Sequence, residues 1–405
     1  MTDSAALSAE QLGADYFQHP LAYFTRMRED GPVTPVILPG SENRVWVITR
    51  YAEARAALAD PRLHKDWASK LTEPGWAPDE ITGYLSMHLL TADPPDHTRL
   101  RKLVNRGFTA RRVAGLRPRI EEITTSLLDA MEAQGADGAT VDLLASFAFP
   151  LPVTVICELL GIPASDRDEF RQWSQAILSD VTEQPAFYAA GLAMFQYFTQ
   201  LVAAKRAQPA DDLVSALIEA RDAGDALDER ELIAMLFLLL VAGHETTTNL
   251  IASGALALLT HPAQAERLRA DPALLPGAVE ELLRYTSPVN HATERFTLEP
   301  TEIGGVTIPA REWVLCVLSA ADRDPARFAD PERLDVTRDA GGHVAFGHGI
   351  HFCLGAPLAR LEGQIAFGAL LSRFPALSLA ADPETLRWNQ SSLIHGLERL
   401  PVRLA

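Results

Sequence analysis

The run from Asp228 to Pro262 constrains this chain more than any other stretch. Asp228 followed by Glu231 reads as a helix N-cap with a carboxylate three residues on, and His261-Pro262 reads as a stop. The helix between them extends to about Thr260. Leu232 to Ala242 is apolar without a break, so every face of that half must be covered by protein. The apolar run is well short of the roughly 20 residues a membrane helix needs, which makes it the central helix of a large core. Then Ala242-Gly243-His244-Glu245-Thr246-Thr247-Thr248-Asn249 sets polar groups into the same helix. A glycine costs about 1 kcal/mol relative to alanine in a helix interior, and threonine hydroxyls compete for backbone carbonyls, so the ladder should loosen here.

These polar residues could simply satisfy one another and bend the helix. A metalloprotease reading of His244-Glu245 fails, because the zinc motif needs a second histidine four residues on and Thr248 stands there. What remains is an acid beside an alcohol, Glu245 and Thr246, a pair able to pass protons into a dry cavity.

A second feature lies near the C-terminus, in Phe346-Gly347-His348-Gly349-Ile350-His351-Phe352-Cys353-Leu354-Gly355. Leu358, Leu361, Ile365 and Leu370 follow at near-helical spacing, so Cys353 sits just before a helix whose N-terminal dipoles favour negative charge on sulfur. Glycines let such a loop turn tightly and approach a flat ligand. Two other readings fit the residues. A lone cysteine is often a small buried hydrophobe. His348, His351 and Cys353, with His343 as a fourth group, have a spacing that could hold zinc, whereas Cys157 and Cys316 stand alone in apolar stretches.

The spacing Phe-x-x-Gly-x-x-x-Cys-x-Gly at Phe346, Gly349, Cys353 and Gly355 resembles the haem-binding loop of the cytochrome P-450 family, the haem-thiolate monooxygenases. The resemblance extends from the Val33 region to the C-terminus. It implies that Cys353 is the metal ligand, the axial thiolate of haem b (iron protoporphyrin IX), with dioxygen as co-substrate. Glu245 and Thr246 match the oxygen-activation segment, where many members carry aspartate in place of Glu245. His97 and Arg101 in Asp93-Pro94-Pro95-Asp96-His97-Thr98-Arg99-Leu100-Arg101, together with Arg295, Phe346 and His351, match the family's haem-contacting positions. Glu281 and Arg284, three apart, should form a structural brace with Arg333 of Asp330-Pro331-Glu332-Arg333.

The fold so implied is mainly α with a small β portion: a single haem-thiolate monooxygenase domain over 1–405, with haem between the long central helix and the Cys-ligand loop. Pattern alone gives helices from Thr91 to Arg284 and strands near Val33 to Leu38, Val45 to Thr49, Ile303 to Ile308 and Val314 to Leu318. Pro39-Gly40-Ser41-Glu42-Asn43 reads as a hairpin turn. A formal net charge of −17 argues against nucleic acid or an anionic membrane as partner. Three cysteines without framework spacing, and a start lacking a signal-peptide pattern, point to the cytoplasm.

Arg99, Arg101, Lys102, Arg106, Arg111, Arg112, Arg117 and Arg119 have no acidic residue among them. They form either a solvated helix face or, as the resemblance implies, the docking site of an acidic ferredoxin fed by a ferredoxin reductase using NADPH or NADH. Trp67, Trp76, Ile81, Tyr84, Leu85, Met87, Leu89 and Leu90, with Phe187, Tyr188, Met194, Phe195, Tyr197 and Phe198, match the family's lid regions. Their bulk suits a lipophilic small molecule such as a macrolide, another polyketide or a steroid-like compound, hydroxylated or epoxidised. A peroxide-driven haem-thiolate peroxygenase would share Cys353, and a non-enzymatic haem or zinc sensor would share the ligands. The Glu245-Thr246 pair argues for dioxygen activation.

Overall fold

The helix expected from Asp228 onward forms over Glu229–Thr260 and is the axis of the molecule. The computed structural model describes residues 9–71, 80–105, 107–180, 184–222 and 227–404. The helices that position the site are, in chain order, α1 (Glu80–Leu85), α2 (Asp96–Asn105), α3 (Arg117–Gln134), α4 (Pro150–Leu160), α5 (Gln184–Ala207), α6 (Glu229–Thr260), α7 (Leu275–Thr286) and α8 (Ala356–Arg373).

Reciprocal capping starts α6. The Asp228 side chain accepts from the Glu231 amide at 2.8 Å, and Glu231 accepts from the Asp228 amide at 2.9 Å. Leu232, Met235, Leu236 and Leu240 are then wholly buried, each such side chain contributing about 1.5–3 kcal/mol over an exposed one. Helices α1, α4, α5, α7 and α8 all pack on α6. By length and composition α6 could cross a membrane, but 61% of its apolar window is buried inside the fold. It is a core helix.

The expected loosening at Gly243 does not occur, for α6 runs unbroken. Thr246 donates its hydroxyl to the Ala242 carbonyl at 2.8 Å, and Asn249 donates Nδ2 to the Glu245 carbonyl at 2.8 Å. A carbonyl has two lone pairs, so these donors can add to the helix ladder instead of displacing it. Ile156 of α4 presses on Gly243, where a Cβ would meet its side chain at 2.9 Å.

The sheet portion lies outside this helical mass. Strands Val33–Ile37 and Arg44–Ile48 form the expected antiparallel hairpin, with Val36 opposite Val45. Trp313–Cys316 adds in parallel to the second of them, and Arg295–Thr297 follows it antiparallel. This carries Arg295 toward the interior. The expected strand from Ile303 to Ile308 is in fact two, Thr301–Ile303 and Val306–Ile308, folded back at Gly304-Gly305.

Candidate active site

Cys353 sits at the end of a loop closed on itself. Its amide donates to the Phe346 carbonyl at 2.9 Å, and the Gly347 amide donates to Val344 at 2.7 Å. Gly349 has φ +77°, and a Cβ there would lie 2.9 Å from the Leu58 carbonyl, so the turn requires glycine. The Arg360 guanidinium sits over the Phe346 ring at 4.6 Å, and the Phe352 ring meets it at a steep angle with centroids 6.3 Å apart.

The thiol meets opposing influences. Burial pushes it up, while the Gly355 and Ala356 amides and the Arg101 and Arg360 guanidiniums pull it down. The helix-start position was expected to favour thiolate outright, but burial dominates for the free thiol. A coordinated metal cation would reverse that balance. Cys157 and Cys316 are wholly buried, and burial raises both, Cys157 to about 12.

Beside the loop, basic groups converge, and among the described residues none of their side chains forms an ion pair. His97, from the first turn of α2, faces His351 with ring centroids 4.4 Å apart. Both rings keep a buried nitrogen without a partner among the described residues, Nε2 of His97 and Nδ1 of His351. Arg101, one turn further along α2, donates to the Phe352 carbonyl at 2.8 Å. Arg295 is buried, and among the described residues it donates to the Thr293 and Leu58 carbonyls, at 3.3 and 3.4 Å.

Sequence reading missed a further member, Lys65. It is 3% exposed, and its Nζ donates at 3.2 Å to the same Thr293 carbonyl that serves Arg295. Burial and the neighbouring Arg295 lower its pKa to about 7, and burial with the Lys65 charge depresses His351. Asp93 is already engaged by Lys70 at 2.6 Å and by the Lys65 amide at 3.1 Å. Buried donors and cations arranged this way fit an anionic ligand, and a pair of carboxylates on a flat cofactor meets that need.

On α6, Ala242, Gly243, Glu245 and Thr246 keep accessible surface in a helix whose other residues here are buried. Thr246 donates to Ala242, which leaves its oxygen free to accept. Glu245 Oε1 stands 3.3 Å from Nε2 of His244.

The brace forms with one substitution of partner. Glu281 and Arg284 are both 0% exposed and bidentate, at 2.7 and 2.9 Å. The expected second arginine, Arg333, is 61% exposed and turns to Asp335. Arg338 takes its place, donating Nε to Glu281 at 3.1 Å, while the Asp335 amide donates to the same oxygen at 3.0 Å. Arg333 contributes its carbonyl, which accepts from Arg338 at 3.1 Å. The chain turns at Asp330, where φ is +46°. A second pair, Glu280 with Arg360 at 2.7 and 2.8 Å, also holds His343 at 3.0 Å.

That last contact counts against zinc, since His343 is turned to Glu280. Among the described residues no three His, Cys, Asp or Glu side chains converge as a metal set. The basic block is also less uniform than its sequence. Arg99 pairs with Asp96 and Glu231, Arg112 with Asp211, Arg117 with Glu121, and Arg119 with Glu158. Lys102 and Arg111 are exposed without an ion pair among the described residues, and Arg106 lies outside them.

Of the lid residues, Trp76 and the Tyr84 side chain lie outside the described set. Ile81 packs close to Gly191 of α5, and Met87 is exposed. Met194 and Phe198 are wholly buried, and Tyr197 packs on Phe170 at 4.9 Å and donates to Asp166 at 2.7 Å. Met194 and Phe198 are core, leaving Phe187, Tyr188, Phe195 and Tyr197 partly accessible.

The comparisons with known proteins agree with this arrangement. The cytochrome P450 family profile matches residues 185–395. Cytochrome P450 107B1 of Saccharopolyspora erythraea is 54% identical over 94% of this chain and 94% of its own length. Cytochrome P450 monooxygenase PikC of Streptomyces venezuelae is 50% identical over 97% of this chain and 92% of its own. The tirandamycin C-bound structure of the P450 monooxygenase TamI superposes with a TM-score of 0.91 at 49% identity, covering 98% of this chain and all of that one. The chain belongs to the cytochrome P450 family, enzymes that carry thiolate-ligated haem and incorporate oxygen from dioxygen into their substrates. Bacterial members of this type draw on redox partners and lipophilic substrates.

Proposed function

We propose that residues 1–405 form one monooxygenase domain that binds haem b through Cys353 and hydroxylates or epoxidises a bulky lipophilic molecule of macrolide, polyketide or steroid-like type. The observation that carries the site assignment is the Cys353 loop, tied at Phe346 and aimed at the start of α8. When bound, haem supplies the oxygen-binding iron, and its thiolate supplies electron density that favours O–O cleavage. His97, Arg101, Arg295 and His351 would hold the propionates, joined by Lys65. Glu245 would deliver protons, and Thr246 would accept and position them through its free oxygen lone pairs.

Relatives support the substrate class. Alongside PikC stand 6-deoxyerythronolide B hydroxylase at 45% identity, mycinamicin IV hydroxylase/epoxidase at 44% and vitamin D(3) 25-hydroxylase at 47%. Electrons would come from an acidic ferredoxin and its NADPH- or NADH-dependent reductase in the cytoplasm. The docking face would be Lys102 and Arg111 around Ile350 and Phe352, which are 52% and 39% exposed, with Arg101 bound to the Phe352 carbonyl.

The test is the reduced carbon monoxide spectrum. Cys353→Ala should lose the red-shifted band, while Cys157→Ala and Cys316→Ala keep it. A band retained without the Cys353 thiol would overturn the assignment.

A further inference from the structure

The acid of α6 has a neighbour with a constrained proton. His244 is 0% exposed, and its ring packs nearly perpendicular to that of Phe149 with centroids 5.9 Å apart. Arg171 sits over the Phe149 ring at 4.6 Å. His244 Nδ1 lies 2.7 Å from the Leu240 carbonyl. A carbonyl only accepts, so Nδ1 carries the hydrogen and a neutral ring presents Nε2 as a lone pair.

Nε2 is buried and has no hydrogen-bond partner among the described residues, although Glu245 Oε1 is 3.3 Å away. A lone pair facing an ionised carboxylate would be two acceptors without a donor, at a cost that burial increases. One proton between them removes the conflict. Placing it on the carboxyl also avoids charging the His244 ring, which is the buried member of the two.

We propose that His244 is a positioning residue that holds the Glu245 carboxyl in its proton-bearing form. The inference rests on the proton-delivery reading of Glu245 and Thr246. Loaded Glu245 donates its O–H to Nε2. On delivery the carboxyl turns to the accessible side of α6 and gives that proton to the Thr246 oxygen or to water held there. The carboxylate left behind is repelled by the Nε2 lone pair, so it stays on the accessible side until a proton from solvent reloads it. One proton leaves and one replaces it, His244 keeps its Nδ1 hydrogen, and no electron moves. His244 is too deeply buried to serve as a proton entry itself.

The experiment is infrared difference spectroscopy on substrate-free ferric holoenzyme, paired with measurement of NADPH coupling to product. Wild type should show a protonated-carboxyl band that Glu245→Gln removes. His244→Phe, which keeps a ring against Phe149, should lose that band and lower coupling while retaining haem. His244→Asn should keep both, because an asparagine can donate to Leu240 as Asn249 does to Glu245 and still offer an acceptor. A wild-type spectrum without the band, or a band and coupling unchanged in His244→Phe, overturns the proposal. Unchanged coupling in Thr246→Ala would overturn the proton-delivery reading instead, so the two failures are distinguishable.

Discussion

Two sets of acidic groups flank the site, and they are built on opposite rules. Behind the Cys353 loop, Glu281 accepts from Arg284, Arg338 and the Asp335 amide, and Glu280 accepts from Arg360 and His343. On α6, Glu245 keeps accessible surface and, among the described residues, its carboxylate meets only the unaligned His244. A carboxylate saturated with donors is fixed in charge and place, which suits a brace. One left partly unpaired can change its proton and its direction, which suits delivery.

Breaking the saturated set should have the largest effect. Removing one partner from a buried pair leaves the other charge uncompensated, so Glu281→Gln or Arg338→Ala should cost about 3–5 kcal/mol of unfolding free energy in urea titrations. Arg333→Ala, an exposed side chain, should stay within about 0.5 kcal/mol. Equal losses at Arg333 and Arg338 would return Arg333 to the brace.

The unsaturated set should fail in function without failing in stability. Thr246→Ala should keep haem content and substrate-induced spectral shifts while NADPH electrons appear as peroxide. Peroxide yield per NADPH, measured beside product yield, checks this.

Docking charges should show a smaller, salt-dependent effect. Lys102→Glu with Arg111→Glu should slow haem reduction by an acidic ferredoxin, whereas reversing Arg117, already paired with Glu121, should do less. Wild-type reduction should slow as salt rises, because exposed charges are screened beyond about 10 Å at 0.1 M. Identical rate curves for both variants would leave the basic block as a solvated face.

The smallest expected effect sharpens the comparison, because one acid on the brace side follows the α6 rule. Glu362 of α8 is buried with Oε2 unpartnered, and burial raises its pKa from 4.5 to about 8. The folded state therefore binds a proton that the unfolded chain has released. Its contribution to stability is full below 4.5 and is lost as pH rises toward 8. Melting temperatures of Glu362→Gln should fall less across that window than those of wild type.

What was legible in the sequence was local. Both ends of α6 were written in adjacent residues, and the Cys353 loop fixed four positions within ten. Lys65 was hidden because its burial depends on Asp93 and Thr293, far along the chain. Arg338 was hidden for a related reason, since Arg333 had the spacing while the turn at Asp330 decided which guanidinium reached Glu281. The hairpin at Gly304-Gly305 did carry a signal, a glycine pair inside an apparent strand, and reading through it merged two strands into one.

Glu231 does more than start α6. Besides capping Asp228, its carboxylate binds Arg99 of α2 at 3.0 Å, on the helix that also carries His97 and Arg101. The zero point of the long helix is thereby pinned to the helix that carries His97 and Arg101, and Glu245 sits fourteen residues up that scale. At about 1.5 Å and 100° per residue, that distance is a ruler with an angular setting. A single alanine inserted between Leu236 and Phe237 would leave the cap and the helix intact, yet swing the acid and the alcohol by about 100° off their face. The count between Glu231 and Glu245 thus sets the face on which the acid and the alcohol stand.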